Sequence, residues 1–326
     1  MIHFRAVAAA SAVALFLAGV PAAAKNATAS IVIRAGKTGS ASHTLARQLA
    51  AAVAVAVNGA YTLDVKESQG SVQNVIASLA APRDYVFTAA PDVIAAAERG
   101  AKPFKRDGRY RRIRALVPMP ALTVQWVVSA ASGVTALSGL AGHPFIAGPR
   151  GSVGERVTEA ALQALGIEPS VQLLGIDPVA APAALKAKQV EGFALAGAYP
   201  VPALVDLARA LPIRLLGLPQ PALGEMLAAD DSLAAEVVPK GSYPGQDADV
   251  TTVAVPGGLY TTLRMPEKTA YAITKAFWSR RDKMIARNPQ WQAVTFATLA
   301  TLKVRLHRGA LRYYREAGVK LPRALR

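Results

Sequence analysis

The segment Lys240-Gly-Ser-Tyr-Pro-Gly-Gln246 contains a tight turn that a generic α/β fold does not require. Pro244 fixes φ at about −65° and Gly245 accepts a positive φ, which together predict a type II turn. Further along the chain, His307-Arg-Gly-Ala-Leu-Arg-Tyr-Tyr-Arg315 predicts a helix that ends at Gly318. Between these two segments the chain predicts a strand over 250–263, and 266–326 predicts helices.

Upstream of the turn, short β-branched runs alternate with Ala-rich amphipathic segments. The predicted strands are 30–34, 61–66, 85–87, 144–147, 171–174, 192–195 and 213–218. The predicted helices are 45–57, 72–79, 92–99, 155–165, 179–187 and 201–210. This alternation predicts an α/β fold in which mostly parallel sheets are flanked by helices.

The chain is long enough for two lobes, because roughly 300 residues exceed one ordinary core. Residues 113–128 predict two extended stretches, broken by Pro118-Met-Pro120, that cross between the lobes. The predicted strand at 250–263 is expected to cross back from the second lobe to the first. Lobe one is therefore expected to comprise 26–120 plus 250–326, and lobe two 121–249.

Residues 1–24 predict a cleaved signal peptide. Arg5 precedes an uncharged apolar run at 6–20, and Pro21-Ala-Ala-Ala24 supplies an Ala-x-Ala cleavage site. An uncleaved membrane anchor is the alternative, but the run is short for a span of about 20 residues. The sequence thus predicts an exported, periplasmic protein.

The chain has no cysteine and four histidines. A disulfide, a thiol nucleophile and a lipid-anchored cysteine are therefore excluded. The histidines are scattered without metal-ligand spacing, so neither a metal nor a cofactor is expected. We predict that the protein is not an enzyme, although Asp92 or Glu155 as a base leaves an enzyme on the same scaffold as a minor alternative.

The formal net charge is +16. Such a balance fits nucleic acid, an acidic membrane surface or an anionic ligand. The densest basic run, 102–114, has seven Lys and Arg in thirteen positions. A solvated connection is the main interpretation of this run, and a docking patch for an anionic partner or lipid headgroups is the alternative. Because no nucleic-acid-binding motif accompanies it, we expect no nucleic acid partner.

Three polar, Gly-rich segments lie where a predicted strand leads into a helix. They are Gly36-Lys-Thr-Gly-Ser-Ala-Ser-His-Thr44, Ser68-Gln-Gly-Ser-Val-Gln-Asn74 and Gly148-Pro-Arg-Gly-Ser-Val-Gly-Glu155. In open α/β sheets, ligands bind beyond the carboxyl ends of strands, where helices present N–H groups. Each segment alone also fits simple helix capping. Their convergence on one cleft would instead define a binding site.

Several of these motifs resemble the TAXI family of TRAP-transporter solute receptors. The resemblance covers roughly 28–318 and is carried by Gly241-Ser-Tyr-Pro-Gly-Gln246, by His307 to Arg315, and by Gly70-Ser-Val-Gln-Asn74. The first loop departs from the family, since Ser40-Ala-Ser-His43 stands where Gly, Thr and two tyrosines are usual. The ligand specificity of the family therefore does not transfer directly.

The resemblance implies a two-lobed type II periplasmic binding protein, or Venus flytrap, that closes on a small anionic or zwitterionic ligand. It implies capture of a carboxylate or amino acid by a monomer, and delivery to TRAP-type membrane permease subunits. A sensory receptor for a membrane signalling protein, or a receptor with a changed ligand, are the alternatives. The expected ligand contacts are Thr38, Gly39, Ser40, Ser71, Asn74, Asp92, Gln125, Ser152, Val153, Gly154, Tyr199 and Tyr260.

Overall fold

A computed structural model describes residues 29–57, 60–148, 152–174, 180–230 and 232–326. The strands are β1 (Ala29–Arg34), β2 (Tyr61–Lys66), β3 (Tyr85–Ala89), β4 (Ile113–Ser129), β5 (Pro144–Ile146), β6 (Gln172–Leu173), β7 (Gly192–Gly197), β8 (Ile213–Leu216), β9 (Ala234–Val238) and β10 (Val250–Thr262). The helices are α1 (Ala41–Ala56), α2 (Ser71–Ala77), α3 (Pro91–Arg99), α4 (Val153–Ala164), α5 (Ala181–Lys186), α6 (Pro202–Ala210), α7 (Gln220–Ala229), α8 (Glu267–Arg287) and α9 (Arg308–Glu316). The predicted α/β alternation is confirmed.

The strands form one curled, mixed sheet in the order β2-β1-β3-β10-β4-β7-β5-β6. The outer strands pair in parallel, β1 with β2 and β3 on one side and β5 with β6 and β7 on the other. The pairs around β4 and β10 are antiparallel. Parallel pairing within each lobe follows from the βα rhythm, whereas the mixed centre arises because two long strands connect the lobes in opposite directions.

The crossing strand β4 is continuous from Ile113 to Ser129, so the predicted break at Pro118-Met-Pro120 is wrong. Proline removes a ladder donor, and it is tolerated where pairing is irregular. The pairing of β4 with β10 is irregular here, with register shifts between Val255 and Gly257 and between Leu259 and Tyr260. At each shift the extra residue lies in β4, so bulges on either side of Pro118 and Pro120 accommodate the prolines within their own strand.

The buried apolar side chains separate along these strands. One cluster extends from Ile31 to Met119 and resumes from Leu259 to Leu325. Two further clusters contain buried residues between Val124 and Val255. We call the first region lobe one and the second lobe two. We propose that the lobe boundaries lie inside β4 and β10, so that the first half of β10 packs with lobe two.

Helix α7 and strand β9 were not predicted from the sequence. Leu, Ala and Met occur on several sides of α7, and Pro221 and Gly224 interrupt its pattern, so a helical period is hard to recognise. Strand β9 pairs with β10 from Val250 to Ala254 and lies at an edge of the sheet. Strand β10, with which β9 pairs, lies on the other side of the tight turn. A local sequence pattern does not reveal such a pairing.

Both sequence signatures have the predicted local form. The Tyr-Pro-Gly turn is closed by Gln246 N–H donating to the Tyr243 carbonyl at 3.1 Å, and Gly245 has a φ of 77°. Helix α9 begins after His307 and is followed by Gly318 at a φ of 69°. The buried Tyr314 donates its hydroxyl to the Leu116 carbonyl at 2.8 Å, which fixes α9 against β4.

Within the described residues, none of the helices combines the length and hydrophobicity needed to cross a bilayer. The predicted signal peptide at 1–24 lies outside those residues.

Candidate functional site

Asn74 connects the carboxyl ends of two neighbouring strands. Its Nδ2 donates to the Thr88 carbonyl at 2.9 Å and to the Arg34 carbonyl at 3.3 Å, bridging β3 and β1. The side chain is fully buried, and its Oδ1 accepts no hydrogen bond from any described residue. Buried polar atoms normally have a partner. An acceptor is therefore open at the edge of the sheet where a ligand is expected.

Asp92 lies in the first turn of α3, just beyond β3. The loop before it is fixed by Ser71, whose Oγ accepts from the Ala90 N–H at 3.2 Å. The Oδ1 atom of Asp92 is buried and, among the described residues, has no hydrogen-bond partner. Burial raises the pKa of this carboxyl, and the nearby Asp230 adds to the shift, while the backbone N–H groups of Asp92 and Val93 and the Arg156 guanidinium oppose it. Because Arg156 and Asp230 belong to lobe two, Asp92 lies at the surface between the lobes.

The start of α1 lies against lobe two. Ser40 caps this helix by accepting from the His43 N–H at 3.3 Å. The Cβ of the next residue, Ala41, would be 3.9 Å from a Cβ added at Gly197 on β7. The first turn of a helix presents N–H groups without intrahelical acceptors, and these favour anions. One such turn therefore meets the carboxyl end of β7.

The start of α4 reaches the same strand from within lobe two. Ser152 caps this helix by accepting from the Glu155 N–H at 3.1 Å. A Cβ at Gly154 would lie 3.2 Å from the Ala147 carbonyl oxygen and 3.8 Å from the Ala196 nitrogen. A side chain there would push α4 away from β5 and β7, so glycine keeps Val153 and Gly154 close to the lobe interface. Residues 149–151 of this loop lie outside the described residues.

Gln125 lies on the crossing strand next to β7 and is buried. Its Nε2 donates to the Gly197 carbonyl at 3.2 Å, and its Oε1 accepts from the Tyr243 hydroxyl at 2.5 Å. That hydroxyl also accepts from the Val201 N–H at 2.9 Å. The Tyr-Pro-Gly signature thus serves as an anchor: it holds the crossing strand and the end of β7 together behind the site.

Four predicted contacts are not brought into this group. Thr38 and Gly39 are exposed at the rim, where the Thr38 hydroxyl donates to Glu67 Oε2 at 2.6 Å. Tyr199 donates to Glu236 Oε1 at 3.2 Å, and burial together with that carboxylate raises its pKa to about 12. Tyr260 is fully buried in lobe one, where it packs on Phe87 and donates to the Leu302 carbonyl.

A contact between the lobes was missed by sequence reasoning. Gln290, in a short 3₁₀ segment of lobe one, donates through Nε2 to the carbonyls of Ala198 and Pro200 in lobe two. Its own Oε1 accepts from Asn288 Nδ2 at 3.2 Å. No local pattern marks this glutamine, because its partners are about ninety residues away.

The ion pair of Arg156 with Asp230 was also missed, since these residues are 74 positions apart. Gly197 had a recognisable signal, because it stands in Gly197-Ala-Tyr-Pro200, where a strand leads into a helix. A glycine at such a position often permits close approach of another backbone or a ligand.

A surface groove of 690 Å³ lies elsewhere, on the outer side of lobe one between α1, α8 and α9. Its polar groups are already engaged: the Tyr271 hydroxyl donates to Glu316 at 2.6 Å and Arg312 pairs with the same carboxylate. The groove is remote from the helix starts described above, so we assign the candidate site to the interlobe surface.

The two lobes, the crossing strands and the helix starts at their interface define the fold of periplasmic solute-binding proteins. A family model also matches most of the sequence. The chain belongs to the NMT1-like family, whose model matches residues 33–318. This match does not specify the TAXI receptors that the motifs resemble.

Solved structures of this class share the architecture. MatC from Rhodopseudomonas palustris with bound malate superposes with a TM-score of 0.55 at 13% identity, covering 90% of this chain and 97% of that chain. A TctC solute-binding protein from Polaromonas gives a TM-score of 0.52 at 13% identity, covering 90% and 99%. At these identities the likeness shows the fold.

Proposed function

We propose that this protein is a periplasmic receptor that captures an amino acid between its lobes and delivers it to a TRAP-type membrane transporter. The observation that carries the proposal is the pair of buried, unpartnered acceptors, Asn74 Oδ1 and Asp92 Oδ1, on the lobe-one side of the interface. A ligand that donates hydrogen bonds would satisfy both atoms.

Two helix starts, α1 in lobe one and α4 in lobe two, offer the opposite chemistry. The starts of α1 and α4, capped by Ser40 and Ser152, lie on either side of the end of β7. Their N–H groups and the positive ends of the helix dipoles favour a carboxylate. A zwitterion matches both halves: its carboxylate binds at the helix starts, and its ammonium group donates to Asp92 and Asn74.

This arrangement sharpens the choice among small organic acids. The malate bound in MatC is a dicarboxylate, and the same fold holds it in that protein. In this chain a second carboxylate next to Asp92 would place like charges together in a buried site. An ammonium group there would instead stabilise the ionised Asp92 against the effect of burial.

Closure follows from the contacts between the lobes. Gln290 of lobe one already binds the Ala198–Pro200 turn of lobe two, and Ala41 packs on Gly197. A ligand that contacts Asp92 or Asn74 in lobe one and the start of α4 in lobe two makes contacts that only the closed arrangement provides, so binding favours closure. Delivery to TRAP-type permease subunits is supported by the motif resemblance, above all by the Tyr-Pro-Gly and His307–Arg315 segments.

The test is a matched ligand panel with the purified exported protein. Thermal unfolding is measured with amino acids and with carboxylates of the same length that lack the amino group, such as glutamate against glutarate. A ligand at 100-fold excess over its dissociation constant stabilises the folded state by about 2.7 kcal/mol. We expect a shift with an amino acid and none with its deaminated partner.

Two outcomes would contradict the proposal in different ways. A shift with dicarboxylates alone would leave a solute receptor but remove the ammonium group from the model. No shift with any member of the panel, for protein freed of ligand by unfolding and refolding, would reject small-acid capture itself. Co-purification of the liganded receptor with a signalling protein rather than a permease would favour the sensory alternative.

A further inference from the structure

A second charged surface lies at the opposite end of lobe one from the proposed site. Its exposed side chains are Arg83, Lys102, Lys105, Arg106, Arg111, Arg112 and Arg264, which we call the basic cap. The cap surrounds the end at which β3 and β4 begin and β10 finishes. The carboxyl ends of β1 and β3, which carry the proposed ligand site, point the other way.

The loop that carries most of these residues is fixed to the core. Phe104 and Tyr110 are buried and pack edge to face, with ring centroids 5.7 Å apart. A Cβ added at Gly100 would lie 2.9 Å from the Arg106 Cα, so the loop folds back tightly on the end of α3. The intervening Lys and Arg side chains therefore project outward from a rigid base.

Backbone contacts join the separate parts of the cap. Leu263 N–H donates to the Arg112 carbonyl at 2.9 Å, which places Arg264 beside the loop. Arg264 Nη1 donates to the Ala81 carbonyl at 3.0 Å and lines a surface depression with Arg83. The cap is thus one continuous surface assembled from three chain segments.

Most of the basic groups of the cap have no ion-pair partner among the described residues. Within 102–114, seven basic residues accompany a single acid, Asp107, and Arg109 pairs with that carboxylate at 2.7 Å. Among the described residues, Lys102, Lys105, Arg106, Arg111 and Arg112 form no ion pair. Like charges at this density destabilise a folded surface. An external anionic surface would relieve that repulsion.

The composition of the cap favours lipid headgroups over a protein. The basic groups are spread around one end of lobe one, and among them Leu263, 49% exposed, precedes Arg264 in the chain and donates its N–H to the Arg112 carbonyl. Basic side chains around an isolated apolar one match the interface of an anionic bilayer. Strand β1 also begins at this end of lobe one. Its first residue, Ala29, pairs with Tyr61, the first residue of the parallel strand β2.

We propose that the protein binds reversibly to anionic phospholipid surfaces through the basic cap, with the interlobe site turned away from the bilayer. This goes beyond ligand capture. It would confine a diffusing receptor to the membrane surface, where its transporter lies, while the cleft stays open to solvent. The attraction should be screened within about 8 Å at physiological ionic strength, so binding should be salt-sensitive.

The experiment measures co-sedimentation of the exported protein with vesicles of phosphatidylglycerol and phosphatidylcholine, and with phosphatidylcholine alone. The cap variant carries Lys102→Gln, Lys105→Gln, Arg111→Gln and Arg112→Gln. The control variant removes four exposed basic residues from lobe two: Lys186→Gln, Lys188→Gln, Arg209→Gln and Lys240→Gln. Net charge falls equally in both variants.

We expect the wild type to bind only the anionic vesicles, at least about tenfold loss of partitioning in the cap variant, and less than about threefold loss in the control. An equal loss in both variants would overturn the proposal, since it would show attraction by net charge alone. Absence of wild-type binding to anionic vesicles would overturn it too. In that case, retention of the wild type but not of the cap variant on immobilised polyglutamate would point to an acidic protein partner. Unchanged ligand-induced thermal shifts in the cap variant would show that ligand capture between the lobes does not depend on the basic cap, so that each proposal can be tested on its own.

Discussion

Two buried side-chain amides, Asn74 in lobe one and Gln125 on the crossing strand, show the difference between a site and its support. Gln125 uses both ends of its amide, donating to Gly197 and accepting from Tyr243. Asn74 uses only its donor end, on Arg34 and Thr88, and its oxygen stays open. Both positions are buried to the same degree, so burial alone does not distinguish ligand contacts from structural ones.

The comparison extends to their neighbours. Around Gln125, the Tyr243 hydroxyl has both a donor and an acceptor partner. Around Asn74, Asp92 repeats the pattern of an unpartnered buried oxygen. A folded protein keeps such atoms only at a cost in stability, which function can offset when a ligand satisfies them. The following predictions test whether this separation holds.

The largest expected effect is on stability, from Gln125→Leu. This change leaves the Tyr243 hydroxyl proton without its acceptor and removes the side-chain donor to the Gly197 carbonyl, and we expect a loss of about 3 kcal/mol in the free energy of unfolding. Urea unfolding of the ligand-free protein measures it. Gln172→Leu on the exposed strand β6 is the control, with a change within about 0.5 kcal/mol. Equal losses in both variants would show that Gln125 is not an anchor.

Acid should disturb a second anchor, His307, whose Nδ1 accepts from the Gly309 N–H at 3.2 Å. Burial, with a smaller contribution from the neighbouring Arg308, lowers the pKa of this fully buried ring to about 4. The folded state therefore favours the neutral ring. Its contribution is complete above the unfolded pKa of about 6.5 and is lost as pH falls toward 4, by on the order of 3 kcal/mol.

His307→Asn checks this assignment, because asparagine retains a capping oxygen without titrating in this range. We expect the variant to lose less stability than the wild type between pH 6.5 and 4 in urea unfolding. Parallel pH profiles for the two proteins would mean that another group controls the acid response.

Asp92→Asn tests the other side of the comparison, where affinity rather than stability should change. Removing the charge should weaken binding of an amino acid by about 30-fold, as expected for a lost charge-assisted hydrogen bond of about 2 kcal/mol. Stability without ligand should stay equal or rise at neutral pH, since burial disfavours the ionised carboxylate in the folded state. Calorimetric titration and urea unfolding measure the two effects separately.

The pH dependence of stability provides a further test of Asp92, because the direction of the change can be predicted. Its pKa is raised in the folded state, so the wild type should recover stability relative to Asp92→Asn as pH falls through that raised value. Weaker stability of Asp92→Asn at neutral pH, with unchanged affinity, would move Asp92 from the ligand site to the structural group.

Sequence patterns predicted the parts of this architecture that are local. The βα rhythm gave the strands except β9 and the helices except α7, and Pro244, Gly245 and Gly318 marked turns whose backbone angles depend on those residue types. The strand-to-helix segments contain the helix caps Ser40 and Ser152. Such local features are predictable because capping and backbone conformation depend on a few adjacent residues, whereas ligand contacts at Ser40, Ser152 and Asn74 stay predictions.

The rest depends on contacts between distant segments. Tyr260 stands on a crossing strand near the proposed lobe boundary, yet the sheet turns its ring into lobe one rather than toward the interface. Gln125 was expected to contact ligand, and only its pairing with Tyr243, 118 positions away, reveals a complete set of partners. Whether a buried amide is open or satisfied is a property of the packed structure, which a single sequence does not encode locally.

The smallest predicted effect concerns the cap of α4, where site and support overlap. Ser152→Ala removes the oxygen that accepts from Glu155 N–H, which should cost about 1 kcal/mol in stability. If the start of α4 also binds the ligand carboxylate, affinity should fall by a few-fold in the same variant. Ser129→Ala, which removes a comparable bond to the Ala131 N–H at 3.3 Å in a short 3₁₀ turn away from the helix starts, should lower stability slightly and leave affinity unchanged. Equal affinity in Ser152→Ala and wild type would assign this helix start to the support and leave α1 as the carboxylate end of the site.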